Sequence, residues 1–196
     1  MECAQQQKEG GIPSSCEREE KAAGASASAH RLEPDSQAAD GPDEITVRFL
    51  DTEEVDDGLL RFAVIAARSA GQWVFCRHRD RETMEMPGGH REAGESILQT
   101  AERELHEATG AHSFSLKPVC VYGVTGKNRV NPTGRETFGM LFFAEVEAFE
   151  SALHHEMEQM MLCREPPQRW TYPQIQSALL HEVCARLEYE FGSSGD

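Results

Sequence analysis

The sequence predicts a mixed α/β domain in which a β-sheet lies between helices. The chain has 196 residues, a length that corresponds to one domain or to one domain with a tail. Segments rich in β-branched and aromatic residues come first, one helical segment interrupts them, and a second helical segment closes the chain. This order indicates a sheet that is covered by helices.

Six segments are predicted as strands from their β-branched and aromatic content: 45–50, 60–67, 73–77, 119–124, 138–146 and 157–163. Residues 69–72 contain a glycine and are predicted to form a hairpin turn between the second and third strands. Residues 125–136 are polar and are predicted to form a loop between the fourth and fifth strands.

Two helices complete the predicted domain. Residues 96–109 have helical character, with Ser96 as the expected N-cap and Gly110 as the C-terminal stop. The closing helix is predicted over 173–191, because Pro173 is well suited to the first turn of a helix. Its apolar residues recur on one face: Ile175, Leu179, Val183 and Leu187.

The first 43 residues differ in composition from the rest of the chain. They contain no Phe, Trp or Tyr and are rich in Ala, Ser, Gln, Glu and Gly. Such a segment cannot bury enough apolar surface to offset the entropy that it loses on ordering. We therefore expect 1–43 to be a disordered tail, 44–191 to be the folded domain and 192–196 to be a flexible C-terminus.

The charge balance restricts the class of partner. With 34 acidic and 19 basic residues, the formal net charge is −15. This argues against double-stranded nucleic acid, whose phosphates are bound by clustered Lys and Arg, and against adhesion to an anionic membrane. A small phosphate ligand is still compatible with this charge, provided that a divalent metal lies between the ligand and the protein.

The cysteines and the N-terminus bear on location. The six cysteines have neither the spacing of a zinc site nor that of a disulfide framework, so reduced thiols of a cytosolic protein are expected. The N-terminus lacks the basic and apolar segments of a signal peptide, and no apolar run approaches the roughly 20 residues that span a bilayer. We expect a cytoplasmic protein with no membrane partner.

Clustered carboxylates on the first helix point to metal chemistry. Glu104 and Glu107 are three residues apart, so their side chains share one face of the helix, and Glu95 lies just before its start. Mg²⁺ takes oxygen ligands and typically bridges one or two carboxylates to substrate phosphates. The alternative is a solvated acidic helix face, in which Arg103 and Glu107 form an ordinary i, i+4 ion pair.

The full spacing favours the metal site. The segment from Gly89 reads G-x5-E-x7-R-E-aliphatic-x-E, and Gly110 and Ala111 follow it. In this register it resembles the signature box of the Nudix hydrolases, and Pro87-Gly88 before the box is similar to MutT-type members. The resemblance implies an α/β/α sandwich around a mixed β-sheet and metal-dependent hydrolysis of a phosphoanhydride bond.

The resemblance also implies roles for individual residues. The catalytic group would be Glu104, Glu107, Arg103 and Glu95, in which Arg103 holds Glu95 by a bidentate ion pair. The Mg²⁺ ion, or Mn²⁺ in its place, would be bound by Glu104, Glu107, Gly89 and Glu156, the last of these lying outside the box. Independently of the resemblance, Arg77, Gly88, His90 and Arg91 are candidates for contact with the substrate because of their positions in or near the box. Arg79 and Arg81 are expected to be solvated.

One position departs from the family pattern. Ala108 stands where the family has a second adjacent glutamate, which is usually a metal ligand. Ala108 instead extends an apolar stripe with Ile97, Ala101 and Leu105. Two outcomes are physically open: a water takes the vacant position and the enzyme works with weaker metal affinity, or the domain only binds nucleotides.

The function that follows from these observations is a MutT-like pyrophosphohydrolase acting on a small nucleotide. The substrate class is a nucleoside diphosphate linked to another group, such as the oxidised nucleotide 8-oxo-dGTP. The alternatives are a non-catalytic nucleotide-binding module, a pyrophosphohydrolase of dinucleosides or RNA ends, and an interaction domain whose acidic tail recruits a partner. The resemblance leaves monomer and homodimer open.

Overall fold

The computed structural model describes residues 43–150 and 157–192. The predicted tail, apart from Asp43, lies outside the described residues, as do Glu156 and 193–196. The strands are β1 (Thr46–Leu50), β2 (Leu60–Ser69), β3 (Gln72–His78), β4 (Gly88–His90), β5 (Ala111–Thr125), β6 (Thr137–Phe149) and β7 (Met157–Cys163). The helices are α1 (Ile97–Thr109) and α2 (Pro173–Gly192), and a single 3-10 turn (Asp57–Leu59) precedes β2.

The seven strands form one mixed sheet. Their order is β1-β5-β6-β2-β3-β7, and the short strand β4 pairs with β2. The central pair, β2 and β6, is parallel, whereas the other pairs are antiparallel. The predicted hairpin turn joins β2 to β3, where Ala70 and Gly71 both have positive φ as the tight turn requires.

A separate apolar core lies under each helix, because successive side chains of a strand point to opposite faces of the sheet. In β2, Ala63, Ile65 and Ala67 belong to the cluster that includes α1. Phe62, Val64 and Ala66 belong to the cluster that includes α2. The helices contribute buried residues to their own side: Ile97, Ala101 and Leu105 from α1, and Leu179, Leu180, Val183 and Leu187 from α2. The expected α/β/α sandwich around a mixed sheet is confirmed.

Two of the strands that follow α1, β5 and β6, are longer than the sequence predicts, whereas β7 has the predicted bounds. β5 begins at Ala111 instead of residue 119, and β6 continues to Phe149 instead of residue 146. The added part of β5 has mostly exposed or half-exposed side chains, and its pairing with β6 is interrupted by register shifts at Ser113 and Pro118. These irregularities remove the alternation of apolar and polar residues from which strands are predicted.

The segment before the box also differs from its prediction. Local rules interpret the Pro-Gly-Gly segment at 87–89 as the end of a strand and a sharp turn, but Gly88 and Gly89 belong to the short strand β4, which pairs with β2. The two backbones approach so closely that a Cβ at Gly88 would lie 2.5 Å from the carbonyl oxygen of Ala63. Glycine is therefore needed for the pairing itself.

Candidate active site

Helix α1 is fixed at both ends, and this sets the positions of its charged residues. At its start, Ser96 and Gln99 form a reciprocal capping box, in which Ser96 Oγ accepts from the Gln99 N–H and Gln99 Oε1 accepts from the Ser96 N–H. At its end, Gly110 adopts the left-handed conformation and its N–H donates to the carbonyl of His106. The predicted cap and stop are both present.

Arg103 of α1 is the centre of a network of charged groups. Its Nε and Nη2 donate to the two carboxylate oxygens of Glu95, at 2.7 and 3.1 Å. Its Nη1 donates to Glu104 at 2.8 Å and to Glu107 at 3.1 Å. Nη2 also donates to the carbonyl of His90, at 3.0 Å. One guanidinium thus holds three carboxylates and ties the helix to β4.

Glu95 is completely engaged by the protein. Besides Arg103, its Oε2 accepts hydrogen bonds from the Glu92 N–H at 3.0 Å and from Thr100 Oγ1 at 2.8 Å. The hydrogen bond from Arg103, together with that from Glu92, lowers the pKa of Glu95 to about 2. Glu95 is therefore ionised at neutral pH and has a structural task in this network.

Glu104 and Glu107 have carboxylate oxygens to spare. Within the described residues, neither Oε2 of Glu104 nor Oε1 of Glu107 has a hydrogen-bond partner. Burial raises the pKa of Glu104, and Arg103 only partly opposes this effect. Gly89 leaves room for this side chain, because a Cβ at that position would overlap the Glu104 carboxylate. The pair can accept a cation or a proton.

A cavity of about 470 Å³ opens beside Glu104. Its lining includes Gly88, Gly89 and His90 of β4, and the ring of His90 packs against that of Phe62 at 4.5 Å between centroids. This volume lies in the range of small-molecule sites. Gly88 and His90, which are candidates for contact with the substrate from their sequence positions, are thus at the cavity wall.

Two of the predicted substrate residues are occupied elsewhere. Arg91 donates to the carbonyl of Glu95 at 2.7 Å and to Asp57 through both terminal nitrogens, at 2.5 and 2.6 Å. Arg77 donates to Gln159 and to the carbonyl of Arg81, both at 3.3 Å. Neither arginine is in the cavity lining. The structure therefore gives no support to their assignment to the substrate.

Arg81 corrects the prediction that this arginine is solvated. Only 21% of its side chain is exposed, and its Nη1 donates to Glu85 Oε2 at 2.8 Å. Its guanidinium lies 5.9 Å from the centre of the Tyr172 ring, and all three residues line the cavity. Tyr172 and Gln176 reach the cavity from the far end of the chain, and no local pattern in the sequence indicates that approach.

Comparison with known proteins assigns the family. A model of the NUDIX domain matches residues 59–170. The chain belongs to the Nudix family.

Relatives and solved structures agree with this assignment. YtkD of Bacillus subtilis, provisionally named as an 8-oxo-dGTP diphosphatase, is 34% identical over 105 residues; the match covers 53% of this chain and 62% of YtkD. A crystal structure of a mutant of the Bacillus subtilis pyrophosphohydrolase BsRppH is similar with a TM-score of 0.59 at 26% identity, covering 77% of this chain and 91% of that one. A Nudix hydrolase from Nitrosomonas europaea shares the fold, with a TM-score of 0.52 at 20% identity over 64% of this chain and 89% of that chain.

Two carboxylates of the Nudix box, those of Glu104 and Glu107, have oxygens that could bind a divalent metal ion. Among the residues whose side chains the structure describes, 43–150 and 159–187, no group of three or more His, Cys, Asp or Glu is placed to hold a metal ion. Mg²⁺ needs only one or two carboxylates, because it keeps several waters and binds substrate phosphates. The free oxygens of Glu104 and Glu107 meet that requirement.

Ala108, the departure from the Nudix pattern, is 3% exposed. It continues the buried stripe formed by Ile97, Ala101 and Leu105, as the sequence predicts.

No helix in the described part of the chain is long and apolar enough to cross a membrane.

Proposed function

We propose that the protein is a divalent-metal-dependent pyrophosphohydrolase whose substrate is a nucleoside diphosphate linked to another group. The observation that carries this proposal is the pair of carboxylates with free oxygens, of which Glu104 lies in the wall of a nucleotide-sized cavity. A nucleoside triphosphate such as 8-oxo-dGTP is the proposed substrate. The provisional name of YtkD supports this choice.

Glu104 and Glu107 would hold Mg²⁺ or Mn²⁺, with Gly89 and Glu156 as further proposed contacts. When bound, such an ion polarises a phosphoryl oxygen and neutralises charge that develops there. Either glutamate can take the proton of the attacking water on its free oxygen, as the new P–O bond forms and the anhydride bond breaks.

Arg103 is proposed as a positioning residue. It contacts Glu104 and Glu107 from the protein side, while Glu95 fixes its guanidinium through two hydrogen bonds. This arrangement holds two like charges together before a ligand arrives, which would otherwise be unfavourable.

The acidic protein would act in the cytoplasm on a small nucleotide, as a monomer or a homodimer.

The test is release of phosphate and pyrophosphate from nucleoside triphosphates, a dinucleoside tetraphosphate and 5′-triphosphorylated RNA, with Mg²⁺ or Mn²⁺. We expect Glu107→Gln to lower kcat by about 10²- to 10⁴-fold, the usual contribution of a general base. Glu102→Gln is the matched control, because Glu102 is exposed on the same helix.

The panel also separates the alternatives. Turnover of the dinucleoside or of RNA alone would replace the proposed substrate and keep the chemistry. Nucleotide binding by calorimetry without turnover of any substrate, in folded protein with saturating metal, would overturn the hydrolase and leave a nucleotide-binding module.

A further inference from the structure

The cavity beside Glu104 contains polar groups that the proposed hydrolysis does not use. Glu85, Gln176 and Tyr122 all line it, and they are 7%, 5% and 4% exposed. They come from three separated parts of the chain: the segment before β4, helix α2 and strand β5. In a small-molecule site, a few polar groups held in mainly apolar walls fix the orientation of the ligand, so these groups point to a ligand in the cavity.

Gln176 has a fixed orientation and a free donor. Its Oε1 accepts the backbone N–H of Met86 at 3.0 Å, so the amide is held with Nε2 away from that bond. Within the described residues, Nε2 has no hydrogen-bond partner. No described side-chain nitrogen or oxygen is both sealed from solvent and unpaired, so Nε2 is accessible, and Gln176 is one of the residues that line the cavity.

Glu85 supplies the complementary acceptor. Its Oε2 accepts from Arg81 Nη1 at 2.8 Å, whereas its Oε1 has no partner among the described residues. By the same reasoning this oxygen is accessible, and Glu85 also lines the cavity. Arg81 also lies over the Tyr172 ring, so the arginine that binds the Glu85 carboxylate is itself held in position by a second contact. A negatively charged acceptor therefore lies in the wall beside a neutral donor.

The rest of the wall suits a flat ring. Phe62, Val64 and Met86 contribute apolar surface, and Tyr172 adds a second aromatic side chain. The cavity therefore combines apolar wall surface with the carboxylate acceptor of Glu85 and the amide donor of Gln176. A nucleobase with adjacent N–H donors and a neighbouring carbonyl has the complementary edge.

We propose that Glu85 and Gln176 select a purine with the edge of guanine, a 2-amino group, an N1–H and a 6-oxo group. Glu85 accepts from N1–H and the 2-amino group, and Gln176 Nε2 donates to the 6-oxygen. Adenine has no N1–H and has a 6-amino donor, which would face the Gln176 donor. Hypoxanthine keeps the 6-oxo group but lacks the 2-amino group. This inference rests on the proposed function for the claim that the cavity holds the base of a substrate.

The first experiment measures binding of the nucleoside monophosphates GMP, IMP and AMP to the full chain by calorimetry, which requires no catalysis. We expect GMP to bind about 10-fold or more tightly than either of the others, because a hydrogen bond to a charged group is involved. Affinities of the three within about threefold of one another would overturn the proposal.

Two variants test the assigned residues. Glu85→Gln should reduce the preference for GMP over IMP to within about threefold, because the anionic acceptor is lost. Glu82→Gln is the matched control, since Glu82 is an exposed acid paired with Arg169 at the surface and lies outside the cavity lining. Gln176→Glu keeps an acceptor for the Met86 N–H but removes the donor, so GMP affinity should fall while the ratio of AMP to GMP affinity rises.

Thermal unfolding shows which variants fold. If Glu85→Gln does not fold, Gln176→Glu still tests the proposal. Unchanged base preference in either folded variant would overturn the assignment. Turnover measured in parallel separates the two proposals. Turnover without base preference would contradict only the proposed selection of the base. Base preference without turnover would contradict only the proposed hydrolase function. Comparing GTP with 5′-triphosphorylated RNA that begins with G distinguishes the source of the guanine.

Discussion

At the scale of single residues, the site contains two glutamates whose pKa values are shifted in opposite directions. Hydrogen bonds from Arg103 and the Glu92 N–H lower the pKa of Glu95 to about 2. Burial raises the pKa of Glu104, although Arg103 contacts this residue as well. The Arg103 guanidinium therefore stabilises the charged form of Glu95, but it does not offset the cost of burying the charge of Glu104. Glu104 is thus suited to bind a cation or a proton.

Glu95→Gln should lower the melting temperature of the metal-free protein by a few degrees at pH 7. Because the folded-state pKa of about 2 is below the ordinary value of 4.5, the contribution of Glu95 to stability is complete above pH 4.5 and is lost as the pH falls towards 2. Thermal unfolding between pH 7 and pH 3 should show the gap to wild type narrowing. A gap that stays constant with pH, or an equal effect of Glu102→Gln, would contradict this.

Glu104→Gln should have the opposite effect. A raised pKa means that the folded protein binds the proton more tightly than the unfolded chain, so stability is lost as pH rises through the folded-state pKa. The neutral variant should therefore melt at least about 1 °C higher than wild type at pH 7.5 without metal, since ~1 kcal/mol shifts the melting temperature by about 2–4 °C in a chain of this size. Turnover should fall. A lower melting temperature would contradict the assignment of Glu104 as uncompensated.

At the scale of elements, the site depends on how closely strand β4 approaches its neighbours. Gly88 faces the backbone of β2, whereas Gly89 faces the carboxylate of Glu104 on α1. A side chain at either position would meet a neighbour, but the neighbours differ in how far they can move. Backbone in the middle of a sheet is fixed, whereas the end of a glutamate side chain can swing aside.

Gly88→Ala and Gly89→Ala should therefore separate stability from activity. The Cβ at position 88 would lie 2.5 Å from the Ala63 carbonyl oxygen, so we expect a loss of about 1–3 kcal/mol in the free energy of unfolding. The Cβ at position 89 should displace Glu104 with little loss of stability and lower kcat by about 10²-fold. Urea denaturation and steady-state kinetics measure both. Equal losses of stability in the two variants would refute the distinction.

The elements also show how far the sequence alone can lead. The cap at Ser96, the stop at Gly110 and the buried stripe of α1 follow from local rules, and the structure confirms them. The pairing of β4 with β2 does not, because a three-residue strand has no period to detect. Its only trace is the pair of glycines, which local rules interpret as a turn.

At the scale of the whole molecule, the spacing of charged residues predicted the carboxylate side of the site but not its cavity. Glu95, Arg103, Glu104 and Glu107 lie close together in sequence, so helical geometry relates them directly. The opposite wall joins Glu85 and Arg81 to Tyr122 of β5 and Gln176 of α2. These contacts depend on the sheet order, which places β2 beside β6 and β3. A single sequence does not contain that information in any local pattern.

Metal binding couples this site to the stability of the whole molecule, because an ion that binds only the folded state shifts the folding equilibrium. Ala108 lies four residues after Glu104 and next to Glu107, but it is buried. Ala108→Glu would add the carboxylate that the family pattern has there. Without metal, we expect a lower melting temperature than wild type, because a buried charge would join two others.

Mg²⁺ should restore part of the melting temperature that Ala108→Glu loses without metal. If the added carboxylate binds the metal, affinity should rise by about 10- to 100-fold, as for other groups that support a metal site. Tenfold corresponds to about 1.4 kcal/mol and hence to a further rise of roughly 3–5 °C at saturating Mg²⁺. Ala108→Gln is the matched control, since it adds the same volume without charge. Equal Mg²⁺-dependent shifts in the two variants would contradict binding of the metal by a carboxylate at position 108.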